Sequence, residues 1–331
     1  MKPYDELTPP GQRRRQRRLV LEALVAYDLQ VARLRFLAQH TSTYFRLDAA
    51  DGRRYAVRIY SRDSTPAENR AEMFWLEAIN RDTDLRVLRP VPRRDGGLIT
   101  HLAAPYLPGE QRLAVYHWIP GHHLAKEWTP QNYARLGACM AQLHNHSAAL
   151  ALPADVNPKR WDRVFYFPDE WVVYRDAAYA HLFSAADVAL LDTAVAHLDP
   201  FLANLYAGQG KPMLIHGDLH VWNVHVHDGE LHLFDFEDLI LGYPLHDVAI
   251  TLFYGRSRPD YPALRAAFQA GYSQHRPWPA ASEPQLQTLL LARTVNFINY
   301  VAWSDPDPAD YIADRLAEVA AFFATPLPAH P

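Results

Sequence analysis

The chain has 331 residues, one cysteine, a formal net charge of −4, and 49% hydrophobic against 21% charged residues, a balance that excludes a fibrous or disordered chain. Its length favours two lobes over one unit, the lone Cys139 excludes an intrachain disulfide or a cysteine metal cluster, and the absence of a basic excess speaks against a dedicated nucleic-acid binder. No apolar run approaches the roughly 20 residues that span a bilayer, and the first residues are charged where an export signal is apolar, so a soluble, cytoplasmic protein without membrane partners is expected.

In chain order, the run Arg13, Arg14, Arg15, Arg17 and Arg18 reads as the solvated start of a first helix continuing through Leu19, Leu21, Leu24 and Val25. Residues 30–39 and 44–49 read as strands around a polar loop at 40–43. Asp51-Gly52 is a hairpin turn leading to a third strand over 53–60, which completes an antiparallel meander. Residues 66–81 follow as a helix with Met73, Leu76, Ala78 and Ile79 at apolar-face spacing. Two further strands fall within 98–118, and Ile119-Pro120-Gly121 is a breaker. The division is therefore expected at 1–119 and 120–331. The second part is mostly helical, with clear helices over 131–146, carrying Cys139 as a buried thiol, and 185–206; the Pro-rich residues 325–331 read as a frayed end. No internal repeat is present. The expected fold class is α+β in two lobes, a small antiparallel sheet followed by a larger helical part.

The densest chemistry lies in residues 214–247. Asp228-Gly229 is a two-residue hairpin turn, and extending its register places Asn223 beside Phe234 and Asp235, with Asp218 on the loop before it. Oxygen ligands from Asn223 and Asp235 suit Mg²⁺, which keeps several waters and completes its shell with substrate phosphates. Asp218 is then free to accept a hydrogen bond from an incoming hydroxyl and to take its proton late in phosphoryl transfer. His225, His227 and His232 alternate onto one hairpin face, which reads as solvated or half-buried rather than as a metal site.

The Asp218 to Asn223 spacing matches that of the protein-kinase catalytic loop. With His216-Gly217-Asp218-Leu219-His220, Asp235 and the stretch from Gly242 to Asp247, the segment resembles the aminoglycoside phosphotransferase and choline kinase superfamily. The resemblance implies a protein-kinase-like fold and an ATP- and Mg²⁺-dependent transfer of a phosphoryl group to a hydroxyl of a small molecule, with GTP as the alternative nucleotide. It also implies that His216 supports the catalytic loop and that Asp247 anchors a helix start.

The same resemblance requires a cation on the small sheet. No lysine lies there, but Arg58 in Tyr55-Ala56-Val57-Arg58 stands where the kinase pattern has its lysine, with Ala56 on the same face. Glu72 is its partner by resemblance, with Glu68 the fallback. The loop at 39–43 lacks glycine, so the hydroxyls of Ser42 and Thr43 are candidates for phosphate contact, and 115–119, including His117 and Trp118, is the candidate backbone hinge for the base. The acceptor is not named by the motif. The aromatic stretch 161–174 and the helix carrying Arg293, Asn296, Asn299, Tyr300 and Trp303 are candidates for its pocket. Carboxylates suited to a polycation are dispersed: Asp162, Asp169, Glu170, Asp305 and Asp307. Two other classes compete: a nucleotide-binding pseudokinase, motivated by the missing lysine and glycine loop, and a metallophosphoesterase, motivated by Gly217-Asp218-Leu219-His220. Oligomeric state is not addressed by the sequence.

Overall fold

The computed structural model describes residues 2–167, 170–208 and 210–324; Asp169 and the tail 325–331 lie outside them. Helix α1 (Pro9–Leu24) opens with proline in its first turn, where a missing N–H costs nothing, and buries Leu19, Val20, Ala23 and Leu24 in a core with Phe45, Leu47, Tyr55 and Val57. That core is closed by a five-stranded antiparallel sheet built from β1 (Val31–Gln39), β2 (Thr43–Ala49) and β3 (Arg54–Ile59), and later strands. Helix α2 (Pro66–Asp82) starts in a capping box: Thr65 accepts from the Glu68 amide while the Glu68 carboxylate accepts from the Thr65 amide. After β4 (Arg86–Val87) come β5 (Ile99–Ala103) and β6 (Glu110–His117), giving the order β1-β2-β3-β6-β5.

The basic run at the start of the chain is used locally. Arg13 lies 4.2 Å over the Phe36 ring, Arg15 donates to the Tyr106 carbonyl at 2.9 Å, and Arg18 pairs with Glu22 at 2.8 Å.

The chain forms two compact units, the first running through His122. The first unit is not contiguous, however: it includes residues 154–156 and the hairpin residues 225–234, which the sequence had placed in the second part. The cause is strand pairing. Following β7 (His122–His123), α3 (Pro130–Ala149), α4 (Ala185–Gly208) and β8 (Met213–Ile215), the hairpin β9 (Val224–His227) and β10 (Glu230–Leu233) joins the first unit because β10 runs parallel to β4, with His232 opposite Arg86 and Leu233 opposite Val87.

The second unit continues with β11 (Ile240–Gly242), α5 (Pro244–Phe253), α6 (Tyr261–Ser273), α7 (Glu283–Ser304) and α8 (Ala309–Ala324). Within it α3 packs on α6, and α7 packs on both α5 and α8. β8 and β11 form a two-stranded antiparallel ribbon, Ile215 opposite Ile240. Among the described residues no helix is long and apolar enough to cross a membrane. Cys139 is half-buried, not buried as expected, since its helix face is only partly covered.

Candidate active site

The ribbon β8–β11 delivers the chain into the loop His216-Gly217-Asp218. Asp247, in the first turn of α5 and fully buried, holds that loop by its backbone: the His216 amide donates to Oδ2 at 2.9 Å and the Gly217 amide to Oδ1 at 2.8 Å. His144 from α3 approaches the same Oδ2 at 3.0 Å and is itself oriented by the Tyr272 hydroxyl at 2.9 Å. Burial opposes ionisation of Asp247, but the bond to His144 and the neighbouring His216 and Gly217 outweigh it and keep the carboxyl below its ordinary range. Asp247 thus fastens the loop itself, beyond the helix start that the motif implied. Gly217 has φ +77°, and a Cβ there would meet the Asp238 carbonyl oxygen at 2.1 Å, so only glycine fits.

Four donors converge on Asp218. On Oδ1 they are Arg293 Nη2 at 2.6 Å and the Tyr254 hydroxyl at 3.1 Å; on Oδ2, His220 Nε2 at 3.1 Å and Asn223 Nδ2 at 3.2 Å. His220 can donate through Nε2 because its Nδ1 accepts from the Trp222 amide at 3.1 Å, which fixes the tautomer. Burial pushes the Asp218 carboxyl up, yet His220 first, then Arg293 and His216, hold it at about 2. The group is a carboxylate at any ordinary pH, as a proton acceptor must be.

Asn223 closes this loop and opens the hairpin. Its Nδ2 also donates to the Asp218 carbonyl at 2.9 Å, so the amide orientation is set: reversed, its oxygen would face two acceptors. Oδ1 is therefore the atom turned away from Asp218. The turn at Asp228 (φ 49°) and Gly229 (φ 78°) is of type I′, the geometry that closes a two-residue hairpin, and it brings the chain back to Asp235. Asp235 adopts the left-handed conformation (φ 65°, ψ 61°) ahead of a 3-10 turn over Phe236–Asp238, a backbone state that costs a non-glycine residue about 1–2 kcal/mol. Phe236 is buried against His216, ring centroids 4.4 Å apart. Among the described residues no group of three or more His, Cys, Asp and Glu side chains is arranged to hold a metal. An amide oxygen plus one carboxylate is instead the sparse donor set that a hard, water-rich cation such as Mg²⁺ accepts.

The first unit carries a second charged centre. Arg58 on β3 and Glu72 on α2 are 2% and 1% exposed and paired, Nη1 to Oε1 at 2.9 Å and to Oε2 at 3.1 Å. Tyr116 donates to Glu72 Oε1 at 3.3 Å, and Arg58 lies 4.4 Å over the Tyr60 ring. Glu68 is occupied by the α2 capping box instead. Ala56 lies half-buried two residues before Arg58 on β3. The Ser42 and Thr43 hydroxyls, expected at a phosphate, are buried and engaged inside the unit: Ser42 Oγ accepts from Arg58 Nε at 3.1 Å and Thr43 Oγ1 from Gln16 at 3.1 Å. In the expected hinge three backbone groups bond within the unit. Val115 O accepts from Val91 N at 2.8 Å, the His117 amide donates to Arg89 O at 2.9 Å and the Trp118 amide to Arg54 O at 3.1 Å, because 89–91 runs beside β6 and the strand end pairs back to β3. The two amides are thus already used, while the Val115 carbonyl keeps its second lone pair.

The model of the phosphotransferase enzyme family matches residues 33–283, which takes in both charged centres. The chain belongs to this family. Among solved structures, this phosphotransferase is similar to an amicoumacin kinase in complex with AMP-PNP, Ca²⁺ and amicoumacin (18% identity, 95% of this chain and 96% of that one, TM-score 0.78). It is also similar to a microcompartment-associated aminopropanol kinase (22% identity, 93% and 97%, TM-score 0.75). An uncharacterized protein of Synechocystis sp., sll1119, is 26% identical over 268 residues, 80% of this chain and 71% of the relative. The fold is thus the α+β, protein-kinase-like one expected from the sequence, and the chain is a kinase-type phosphotransferase.

In the phosphotransferase the two aromatic stretches singled out in the sequence do come together, but their amides are clamps. Asn299 accepts from the Val173 amide at 2.7 Å and donates to Trp171 O at 2.8 Å; Asn296 donates to Val164 O and to Glu170 Oε1, each at 3.2 Å. Trp303 faces solvent. Asp305 and Asp307 are exposed, whereas Glu170 is half-buried and raised above its usual range by burial. Of the residues on Asp218, the sequence gives no role to Tyr254, which follows α5, and offers Arg293 only as a candidate for the acceptor pocket, not as a partner of Asp218. The one sequence signal for Arg293 was an arginine within the apolar run from Leu289 to Val295, a position that requires a buried partner.

Proposed function

We propose that the protein transfers the γ-phosphoryl group of ATP, or of GTP as the alternative, to a hydroxyl of a small molecule, with magnesium. The observation that carries this reading is the Asp218 carboxylate, ionised and held on a loop that Asp247 fastens through two backbone amides. Asp218 accepts a hydrogen bond from the acceptor hydroxyl, orients its oxygen toward phosphorus and receives its proton as the new bond forms. Asn223, through Oδ1, and Asp235 are the residues that would hold magnesium, which when bound offsets the charge of the phosphates. Arg58, kept in place by Glu72, is the cation for the triphosphate. The AMP-PNP and Ca²⁺ in the amicoumacin kinase support nucleotide and divalent-metal use here.

The test is thermal stabilisation by ATP and by GTP, each with and without magnesium, on the wild type and on Asp235→Asn. At about 100 times its dissociation constant a ligand adds roughly 2.7 kcal/mol. A magnesium-dependent rise that disappears in the variant is the expected result. No rise with either nucleotide would remove the reading.

A further inference from the structure

An ionised carboxylate has two oxygens and about four places for a hydrogen-bond donor. On Asp218 all four are occupied by the protein: Arg293 and Tyr254 on Oδ1, His220 and Asn223 on Oδ2. An acceptor alcohol that is to bond this carboxylate must therefore take the place of one of them.

The four are not equally replaceable. Arg293 makes the shortest bond, 2.6 Å, and it is charge-assisted. His220 is fixed on its other nitrogen by the Trp222 amide, and Asn223 is fixed by its second bond to the Asp218 carbonyl. Tyr254 remains: a neutral hydroxyl at 3.1 Å, on the residue that caps α5, whose oxygen has one further contact, from Arg293 Nη2 at 3.3 Å. It is also the only hydroxyl of the four, an O–H donor like that of the acceptor.

On the reading of the protein as a nucleotide-dependent phosphotransferase, we propose that the Tyr254 hydroxyl occupies, in the resting enzyme, the place on Asp218 Oδ1 that the acceptor's hydroxyl takes during transfer. Tyr254 is thus a positioning and specificity residue that denies the site to water. If the place is vacated, water enters it: its oxygen bonds the γ-phosphorus, the bond from phosphorus to the bridging oxygen breaks with its electron pair on the diphosphate, and the proton passes to Asp218 Oδ1 and on to solvent. The products are nucleoside diphosphate and inorganic phosphate.

The experiment needs no knowledge of the acceptor. ATP hydrolysis with magnesium and no acceptor is measured for wild type, Tyr254→Phe and Tyr254→Met, the last in case the phenylalanine variant does not fold. Loss of a competing donor should raise hydrolysis about tenfold, the worth of one hydrogen bond. A residue that merely braces the loop would lower hydrolysis when changed. Unchanged or slower hydrolysis in a variant that ATP and magnesium still stabilise overturns the role of Tyr254 alone. Absence of that stabilisation in the wild type overturns the phosphotransferase reading and this inference with it.

Discussion

Arg293 Nη2 lies 2.6 Å from Asp218 Oδ1, although the two residues are 75 positions apart in the chain. Both side chains are largely shielded, 7% and 18% exposed, so neither charge is well solvated without the other. Arg293→Met should destabilise the fold by about 3–5 kcal/mol, and Asp218→Asn should recover part of that loss in the double variant. Urea denaturation of the four proteins measures the coupling, which for a contacting pair is about 0.5–3 kcal/mol. Strict additivity would show that the pair does not interact in solution.

Two carboxyls near each other should give opposite pH dependences. Asp218 is held at about 2 in the folded protein, so its contribution is present above its unfolded value near 3.8 and is lost as pH falls through 2. Asp238 runs the other way: burial raises it to about 6 against Lys159, 3.8 Å away, with Asp218 and Glu237 adding to the rise. Its neutral form is favoured in the native state, so its contribution is present below 3.8 and lost as pH rises through 6. Asp238→Asn should flatten the fall in melting temperature between pH 4 and pH 7; an unchanged slope would assign that fall to other groups.

Arg58→Ala leaves the Glu72 carboxylate, 1% exposed, without its cation. A cost of about 3–5 kcal/mol is expected, with partial recovery in Arg58→Met/Glu72→Leu. Chemical denaturation reads both, and a loss under about 1 kcal/mol would mean that the pair is solvated in solution.

Asn223→Asp replaces a donor by an acceptor beside the Asp218 carbonyl and carboxylate. On the proposed reading, in which position 223 would hold magnesium, turnover should still fall by at least about 100-fold, because the loop loses its internal bond and gains a repulsion. Initial-rate measurement with any accepted alcohol decides it; activity near wild type would show that Asn223 acts through its oxygen alone.

The sequence was most legible where structure is local. The Asp228-Gly229 turn states its own geometry, and the spacing from Asp218 to Asn223 carries the loop with it. Arg58 and Glu72 follow from the resemblance to the kinase pattern, alternation along 55–60 adding only that Ala56 and Arg58 share a face; the structure pairs Arg58 with Glu72. What the sequence did not show are contacts made at long range: His144 on Asp247, Tyr254 and Arg293 on Asp218, each joined by packing of helices with no local signature. Nor could it foresee that the Ser42 and Thr43 hydroxyls turn inward, since a polar loop and a buried strand start look alike in composition. The parallel pairing of β10 with β4, which moves the hairpin to the first unit, joins residues some 145 positions apart and leaves no periodic trace.

The guanidinium on β3 has a practical consequence for chemical labelling. The chain's four lysines are Lys2, Lys126, Lys159 and Lys211, so the small sheet presents no primary amine. Reagents that trap kinases by acylating, or forming an imine with, a lysine on that strand would find nothing to modify. A labelling survey relying on them would pass this chain by, and an arginine-selective dicarbonyl would meet the exposed Arg33, Arg35 and Arg54 of the same sheet before the buried Arg58.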